Sequence, residues 1–212
     1  EVQKGRIAIH HQTAAGIGSS YPDFALLDTP YIYRDVAQLL RVARLDSPVM
    51  ARLSAGLLET SGLRVLYTFY FGTRQLTCDR PVRRPEDLKG VKIRSVPYPL
   101  YSLAVEALGG NPVALDWYLT PTALATKSVS GQENPVNTIL NAKLWQTQPW
   151  IMLTGHIIGA EIVVVNEGIW KGLSRAQRSA MERAAREAGE WATATLIAEE
   201  ARDLAELSAK GM

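Results

Sequence analysis

An uninterrupted segment rich in alanine, glutamate and arginine, residues 174–208, limits most strongly how this chain can fold. Ser174-x-x-Gln177 opens the segment with the pattern of a capping box, in which two side chains bind backbone N–H groups at a helix start. The pattern predicts a helix of about 33 residues, against an ordinary length of about 11–12. Because a helix of this length in an α/β protein usually spans two lobes, the sequence favours a two-lobed chain.

Apolar and small residues recur along this segment at spacings of three and four, which predicts one buried stripe on the helix. The stripe comprises Met181, Ala184, Ala188, Trp191, Thr195 and Ala198. We therefore expect this face of the helix, Trp191 included, to pack against the rest of the chain.

The sequence before the long helix switches repeatedly between apolar and polar segments, which predicts alternating strands and helices in an α/β fold. Residues 63–71 form an aromatic-rich strand that Gly72 is expected to break. Residues 157–165 are β-branched and predict a long buried strand. The polar residues 131–135 are expected to connect two helices.

The charge balance and the apolar runs exclude several kinds of partner. The 212 residues include 23 basic and 21 acidic side chains, so there is no cationic excess of the kind that binds nucleic acid. The longest apolar run, 157–165, is interrupted by Glu161 and is shorter than the ~18–20 residues that span a bilayer. The single cysteine, Cys78, cannot form a disulfide within the chain. We therefore expect neither a nucleic-acid partner nor a membrane-spanning segment.

The sequence contains no catalytic, metal or cofactor motif. The histidines are His10, His11 and His156; none has metal-ligand spacing, and the adjacent pair points to opposite faces of a strand. There is no Gly-x-Ser-x-Gly elbow and no complete phosphate-binding glycine motif. We therefore expect no enzyme activity, no metal and no cofactor, and binding becomes the leading class of function.

A series of short motifs carries a family resemblance. They are Gly-Thr-Arg at 72–74, Gly-Val-Lys-Ile-Arg at 90–94, Leu-Gly-Gly-Asn-Pro-Val at 108–113, Trp117, and Gly-Gln-Glu-Asn-Pro at 131–135. In this order and spacing they resemble the substrate-binding proteins of TRAP (tripartite ATP-independent periplasmic) transporters. The likeness extends over nearly the whole chain.

This resemblance implies a fold and a domain organisation. The expected fold is an α/β, type II-like periplasmic-binding-protein clamshell with two lobes and a long helix that spans them. Lobe I would comprise residues 1–71 and 160–199, and lobe II residues 72–159 and 200–212. The family has further elements before the position of Glu1 and after that of Met212, so the resemblance implies a chain truncated at both ends.

Two arginines acquire a role from the resemblance. In the family, the arginine that ends the Gly-x-Lys-x-Arg strand forms a paired salt bridge with the ligand's carboxylate, and here that residue is Arg94. A guanidinium suits this role because its two parallel N–H donors match a carboxylate. Arg74 matches a second arginine directed at the same end of the ligand. The alternatives are a pairing of Arg94 with a nearby acid and an interlobe salt bridge for Arg74.

Four further ligand-binding residues follow from the same resemblance. Asn134 matches an asparagine that hydrogen-bonds the carboxylate, although asparagine before proline is also an ordinary turn residue. Trp117 matches an aromatic residue that packs over the ligand; its alternative is a core tryptophan. Tyr70 and Thr13 would line the lobe I side of the cleft.

The resemblance also implies how the protein acts. It would be a periplasmic bacterial protein, a monomer that binds a small carboxylate and delivers it to TRAP-type permease subunits in the membrane. A ligand-sensing protein of the same fold is one alternative. An enzyme acting on small carboxylates is another, although the sequence has no general base beside a nucleophile. Residues 118–121 and Ser130 depart from the family pattern, and both departures remove acidic groups.

Overall fold

A computed structural model describes residues 1–212 of the chain. Its strands are β1 (Ile9–Thr13), β2 (Leu63–Cys78), β3 (Lys92–Ser95), β4 (Asn111–Ala114), β5 (Gly131–Pro135) and β6 (Trp150–Asn166). Its helices are α1 (Ala14–Ile17), α2 (Val36–Ala43), α3 (Pro48–Ser61), α4 (Pro99–Ala107), α5 (Thr120–Ala125), α6 (Val136–Asn141), α7 (Glu167–Gly172) and α8 (Arg175–Ala209). Short 3₁₀ turns cover Pro22–Asp28, Pro85–Leu88, Trp117–Leu119 and Leu144–Gln146. The α/β class predicted from the sequence is confirmed.

The chain divides into two compact units. Unit 1 comprises residues 1–71 and 158–197, and unit 2 comprises residues 72–157 and 198–212. Strands β2 and β6 and helix α8 each contribute residues to both units. The long helix predicted to take part in two lobes is therefore present.

Unit 1 is built on local signals that the sequence shows directly. The Ser47 hydroxyl accepts a hydrogen bond from the backbone N–H of Met50 and caps α3. Gly62 ends α3 in the left-handed region, at φ +66°. Strand β1 pairs antiparallel with β6, and β6 neighbours β2. A buried cluster that includes Phe24, Met50 and Ile162 forms the core beneath this sheet.

Unit 2 contains a mixed sheet with the strand order β2-β5-β3-β4. Strand β5 runs antiparallel to β2, with Asn134 opposite Gln75, and parallel to β3, with Gln132 opposite Arg94. Because β5 lies between the other two strands, it places the motif at 131–135 beside both arginine-bearing strands. This register positions the candidate site.

Two sequence-based expectations in unit 2 are wrong. Gly72 does not break the strand, because β2 continues through it to Cys78. At Gly72 φ is +132°, and a Cβ there would lie 2.5 Å from Cβ of Pro135, so the glycine allows β5 to approach. Residues 131–135 are strand β5 rather than a connection between helices. Their polar side chains are buried and hydrogen-bonded, with Asn134 donating to Gln132 and Glu133 accepting from Arg74.

Helix α8 begins as predicted but buries a different face. The capping box is confirmed, since Ser174 and Gln177 exchange hydrogen bonds of 3.2 and 2.8 Å between side chain and backbone. The predicted stripe is wrong: Trp191 is 71% exposed, whereas Ala185 and Gly189 are buried. A Cβ at Gly189 would lie 3.0 Å from the carbonyl oxygen of Thr68 on β2. The packed face of α8 is therefore the one on which a glycine allows the backbone of β2 to come close, and not the one with the larger apolar side chains. None of the helices combines the length and hydropathy that crossing a membrane requires.

Candidate functional site

A buried ion pair links strands β2 and β5 in unit 2. Arg74 is 2% exposed, and both its Nε and its Nη2 donate to the carboxylate of Glu133, with an Nη2–Oε1 distance of 2.9 Å. Nη2 also donates to the backbone carbonyl of Glu133 at 2.9 Å. The guanidinium carbon lies 4.9 Å from the ring centroid of Tyr101. The acid opposite Arg74 therefore belongs to the same unit, not to the other lobe as the alternative interpretation supposed.

Glu133 also contacts a histidine on β6. Its Oε2 lies 3.2 Å from Nε2 of His156, and Nδ1 of His156 lies 2.8 Å from the hydroxyl of Thr154. Burial alone would raise the pKa of Glu133, but the charge of Arg74 and the hydrogen bond from His156 outweigh it and lower this pKa to about 2. Glu133 is therefore a carboxylate, and Arg74 neutralises it.

Asn134 is fixed by side chains on both sides. Its Oδ1 accepts a hydrogen bond from Nη2 of Arg74 at 3.2 Å, and its Nδ2 donates to Oε1 of Gln132 at 2.6 Å. Gln132 donates in turn to the hydroxyl of Thr77. The structure thus joins the predicted residues Arg74 and Asn134 in one buried polar network.

Arg94, at the end of β3, is buried without an acidic partner. It is 2% exposed, and its Nε donates to the carbonyl oxygen of Leu115 at 2.9 Å. None of the ion pairs in the structure includes it. Burial lowers the pKa of Arg94 to about 10, and the nearby charge of Glu133 opposes that shift only in part. Arg94 remains a cation at neutral pH, so its charge lacks a close counterion within the chain.

Trp117 lies over this arginine at the start of the Trp117–Leu119 turn. The guanidinium carbon of Arg94 is 5.6 Å from its ring centroid, within the range of a cation–π contact. The side chain is 40% exposed, so Trp117 is not a core tryptophan. The structure therefore brings Arg94 and Trp117 together, as it does Arg74 and Asn134.

The two site residues predicted in unit 1 have structural roles there. Tyr70 is fully buried in an apolar cluster with Leu39, Ala43 and Ala160. The Thr13 hydroxyl accepts a hydrogen bond from the N–H of Gly16 and caps α1. Their contact with a ligand stays a prediction.

Sequence reasoning missed the importance of Glu133, His156 and Tyr101. Glu133 lies inside the Gly-Gln-Glu-Asn-Pro motif, next to the asparagine to which a role was assigned. The sequence did not show which strands are neighbours. With residues 131–135 as a strand beside β2, the side chains of Glu133 and Arg74 lie within hydrogen-bond distance. His156 comes from a segment 23 residues further on, so no local pattern could connect it. No group of three or more His, Cys, Asp or Glu side chains is arranged to hold a metal ion.

Comparisons with known proteins identify the family to which the chain is related. Residues 1–212 match the family described as bacterial extracellular solute-binding protein, family 7 (DctP). The 2,3-diketo-L-gulonate-binding periplasmic protein YiaO of Escherichia coli (strain K12) is 34% identical over 90% of this chain. The chain spans 57% of that relative's length.

Two solved structures share the fold. A TRAP periplasmic solute-binding protein of Roseobacter denitrificans, with bound 3-deoxy-D-manno-oct-2-ulosonic acid, has a TM-score of 0.93 and 26% identity. That comparison covers 100% of this chain and 70% of the other. A TRAP periplasmic solute-binding protein of Pseudomonas putida F1, with bound D-glucuronate, has a TM-score of 0.92 and 29% identity. That comparison covers 99% of this chain and 68% of the other.

The match over all 212 residues confirms the family that the motifs predicted. It is a family of solute-binding proteins rather than of enzymes. The chain therefore belongs to family 7 of the bacterial extracellular solute-binding proteins, the DctP family of TRAP-transporter binding proteins.

Proposed function

We propose that the protein captures a small organic acid by its carboxylate and delivers it to a TRAP-type permease. The observation that carries this proposal is Arg94, a buried guanidinium without an acidic partner in its own chain. The ligand's carboxylate would be that partner. Arg74, Asn134 and Trp117 would assist, as the family resemblance predicts.

The energetics of Arg94 favour an anionic ligand. A buried charge is costly without a partner, whereas each hydrogen bond to a charged group contributes about 1.5–3 kcal/mol. A carboxylate can accept two parallel bonds from one guanidinium, which adds geometric specificity. The exposed face of Trp117 provides an apolar surface beside the same position. The arrangement therefore suits a carboxylate attached to a partly apolar body.

The relatives support this ligand class and the proposed location. The protein YiaO is a periplasmic protein named for 2,3-diketo-L-gulonate, and the two solved structures contain a keto sugar acid and D-glucuronate. All three compounds carry a carboxylate. From these relatives we extend to this chain a periplasmic location. Action as a monomer and delivery to the permease subunits of a TRAP transporter are proposed from the family resemblance alone.

The two units would act as the two lobes of the binding protein. The sequence predicts lobes of 1–71 with 160–199 and 72–159 with 200–212, and the compact units of the structure suggest this assignment. Unit 2 would hold the ligand's carboxylate. Thr13 and Tyr70 of unit 1 would contact the remainder of the ligand.

Titration calorimetry with a panel of organic acids, with D-glucuronate as the first probe, tests this function. We expect one or more acids to bind the native chain and to bind Arg94→Lys at least about tenfold more weakly, because lysine cannot form the paired contact. Arg64→Lys is the matched control, since Arg64 forms its own ion pair with Glu167 in unit 1 and should leave the affinity unchanged. Equal affinity in Arg94→Lys would show that paired recognition at this residue is wrong.

A further inference from the structure

Asp116 lies between the two residues of unit 2 that contact Arg94. The carbonyl oxygen of Leu115 accepts a hydrogen bond from Nε of Arg94 at 2.9 Å, and the ring centroid of Trp117 lies 5.6 Å from its guanidinium carbon. Asp116 joins these two residues in the chain, and its charge acts on Arg94. Because both of its neighbours contact Arg94, Asp116 lies close to the position proposed for the ligand's carboxylate.

The fold does not use the carboxylate of Asp116. An aspartate that precedes a helical turn commonly caps it with its side chain, yet this side chain makes no capping hydrogen bond to the Trp117–Leu119 turn. Its backbone carbonyl holds the turn instead, accepting from the N–H of Leu119 at 3.1 Å and from the hydroxyl of Thr120 at 3.3 Å. None of the ion pairs includes Asp116, and the residue is exposed. Unit 2 thus presents an unpaired carboxylate near the buried cation of Arg94.

We propose that Asp116 is a specificity-determining residue, which favours acids with a hydrogen-bond donor on the carbon next to the carboxylate. This inference rests on the proposed function, which places the ligand's carboxylate on Arg94, and it uses residues of unit 2 alone. A carboxylate only accepts hydrogen bonds, so it would bind an ammonium on that carbon best and a hydroxyl less well. A carbonyl oxygen at the same place offers no donor and is repelled by the negative charge. The expected order of affinity is therefore 2-amino, 2-hydroxy, unsubstituted and 2-oxo acid.

Two series of acids, each with a constant carbon skeleton, test the proposal. L-leucine, its 2-hydroxy analogue, 4-methylpentanoate and its 2-oxo analogue differ only at C2, and L-alanine, L-lactate, propionate and pyruvate form the same series with three carbons. Calorimetry at neutral pH should show the 2-amino acid to bind at least about threefold tighter than the unsubstituted acid, a modest factor because Asp116 is exposed.

The outcomes separate this inference from the proposed function. An unsubstituted or 2-oxo acid that binds as tightly as the 2-amino acid would overturn the inference and leave the proposed function intact. Binding of other organic acids, when no member of either series binds, would have the same meaning. If no carboxylate binds the folded protein, the proposed function fails and this inference fails with it.

Asp116→Asn tests whether this residue causes the order. The variant removes the charge and keeps the size, and the turn should persist because the carboxylate does not cap it. We expect the advantage of the 2-amino acid to disappear and the 2-oxo acid to gain at least about twofold, because the amide can donate to its carbonyl oxygen. Glu106→Gln is the matched control, since Glu106 is an exposed acid of unit 2 on α4 and should leave every ratio unchanged. Tighter binding of all four acids by one common factor in Asp116→Asn would contradict the proposal, because Asp116 would then only offset the charge of Arg94.

Discussion

Arg74 and Arg94 are buried to the same extent in the same unit, yet only the charge of Arg74 is neutralised by an acid of the chain. Arg74 has a carboxylate from its own chain, Glu133, in a paired contact. Arg94 has a backbone carbonyl and the ring of Trp117 but no acid. One guanidinium is therefore neutralised within the fold, whereas the other has no acidic partner in the chain, and under the proposed function a ligand's carboxylate would be that partner.

This difference has opposite consequences for stability and for binding. Removing one partner of a buried ion pair leaves an uncompensated charge, so the fold depends on Glu133. Removing a buried charge that lacks a partner relieves the ligand-free protein of a desolvation cost. Substitutions that break the pair of Arg74 should therefore lower stability, whereas substitutions of Arg94 should lower ligand affinity without lowering stability.

Replacing Glu133, the ion-pair partner of Arg74, should change stability more than any other substitution considered. Glu133→Gln leaves Arg74 buried without a counterion, and we expect it to lower the free energy of unfolding by about 3–5 kcal/mol. Urea denaturation measures the change. Glu167→Gln in the less buried pair with Arg64 is the control, with an expected loss of about 0–1 kcal/mol. Similar losses in the two variants would remove the distinction between the buried pair and an ordinary one.

Lowering the pH should weaken the ion pair between Arg74 and Glu133, with the next largest effect on stability. The pKa of Glu133 is lowered from 4.5 to about 2 in the folded protein, so its stabilising contribution is complete above the unfolded pKa of 4.5. The contribution, about 3 kcal/mol, is lost as the pH falls from about 4.5 to about 2. Urea denaturation across this range should show a steeper loss in the native chain than in Glu133→Gln. Identical slopes would contradict the assignment.

Substitutions of Trp117, the ring beside Arg94, should have a weaker effect. Trp117→Leu removes the ring over Arg94 and should weaken carboxylate binding by about two- to thirtyfold, the equivalent of about 0.5–2 kcal/mol for a cation–π contact. Trp117→Phe should lose less. Calorimetry with a bound organic acid measures both, and Trp191→Leu on α8 serves as the control because that tryptophan is exposed in unit 1. Unchanged affinity in Trp117→Leu would exclude a role for the ring.

The sequence was sufficient for residues whose role depends on a local motif. The helix cap at Ser174 was predicted correctly because capping depends on neighbours within a few positions. Arg94 and Asn134 were named from the motifs around them, and the structure joins Asn134 to Arg74 and places Arg94 beside Trp117.

The sequence was insufficient where distant segments meet. The pairing of Arg74 with Glu133 depends on residues 131–135 forming a strand next to β2, and polar composition argued against a strand. His156 reaches Glu133 from a third strand. The packed face of α8 was missed because it depends on the close approach at Gly189, which a count of apolar residues does not register.

The role of Arg94 can be measured in the variant Arg94→Met, by its carboxylate affinity and by its urea unfolding without ligand. We expect binding to weaken by at least about a hundredfold, since the charged contact disappears, while the free energy of unfolding stays equal or increases. A variant that still binds the acid tightly, or that loses several kcal/mol of stability as expected for Glu133→Gln, would contradict the claim that Arg94 is held for the ligand.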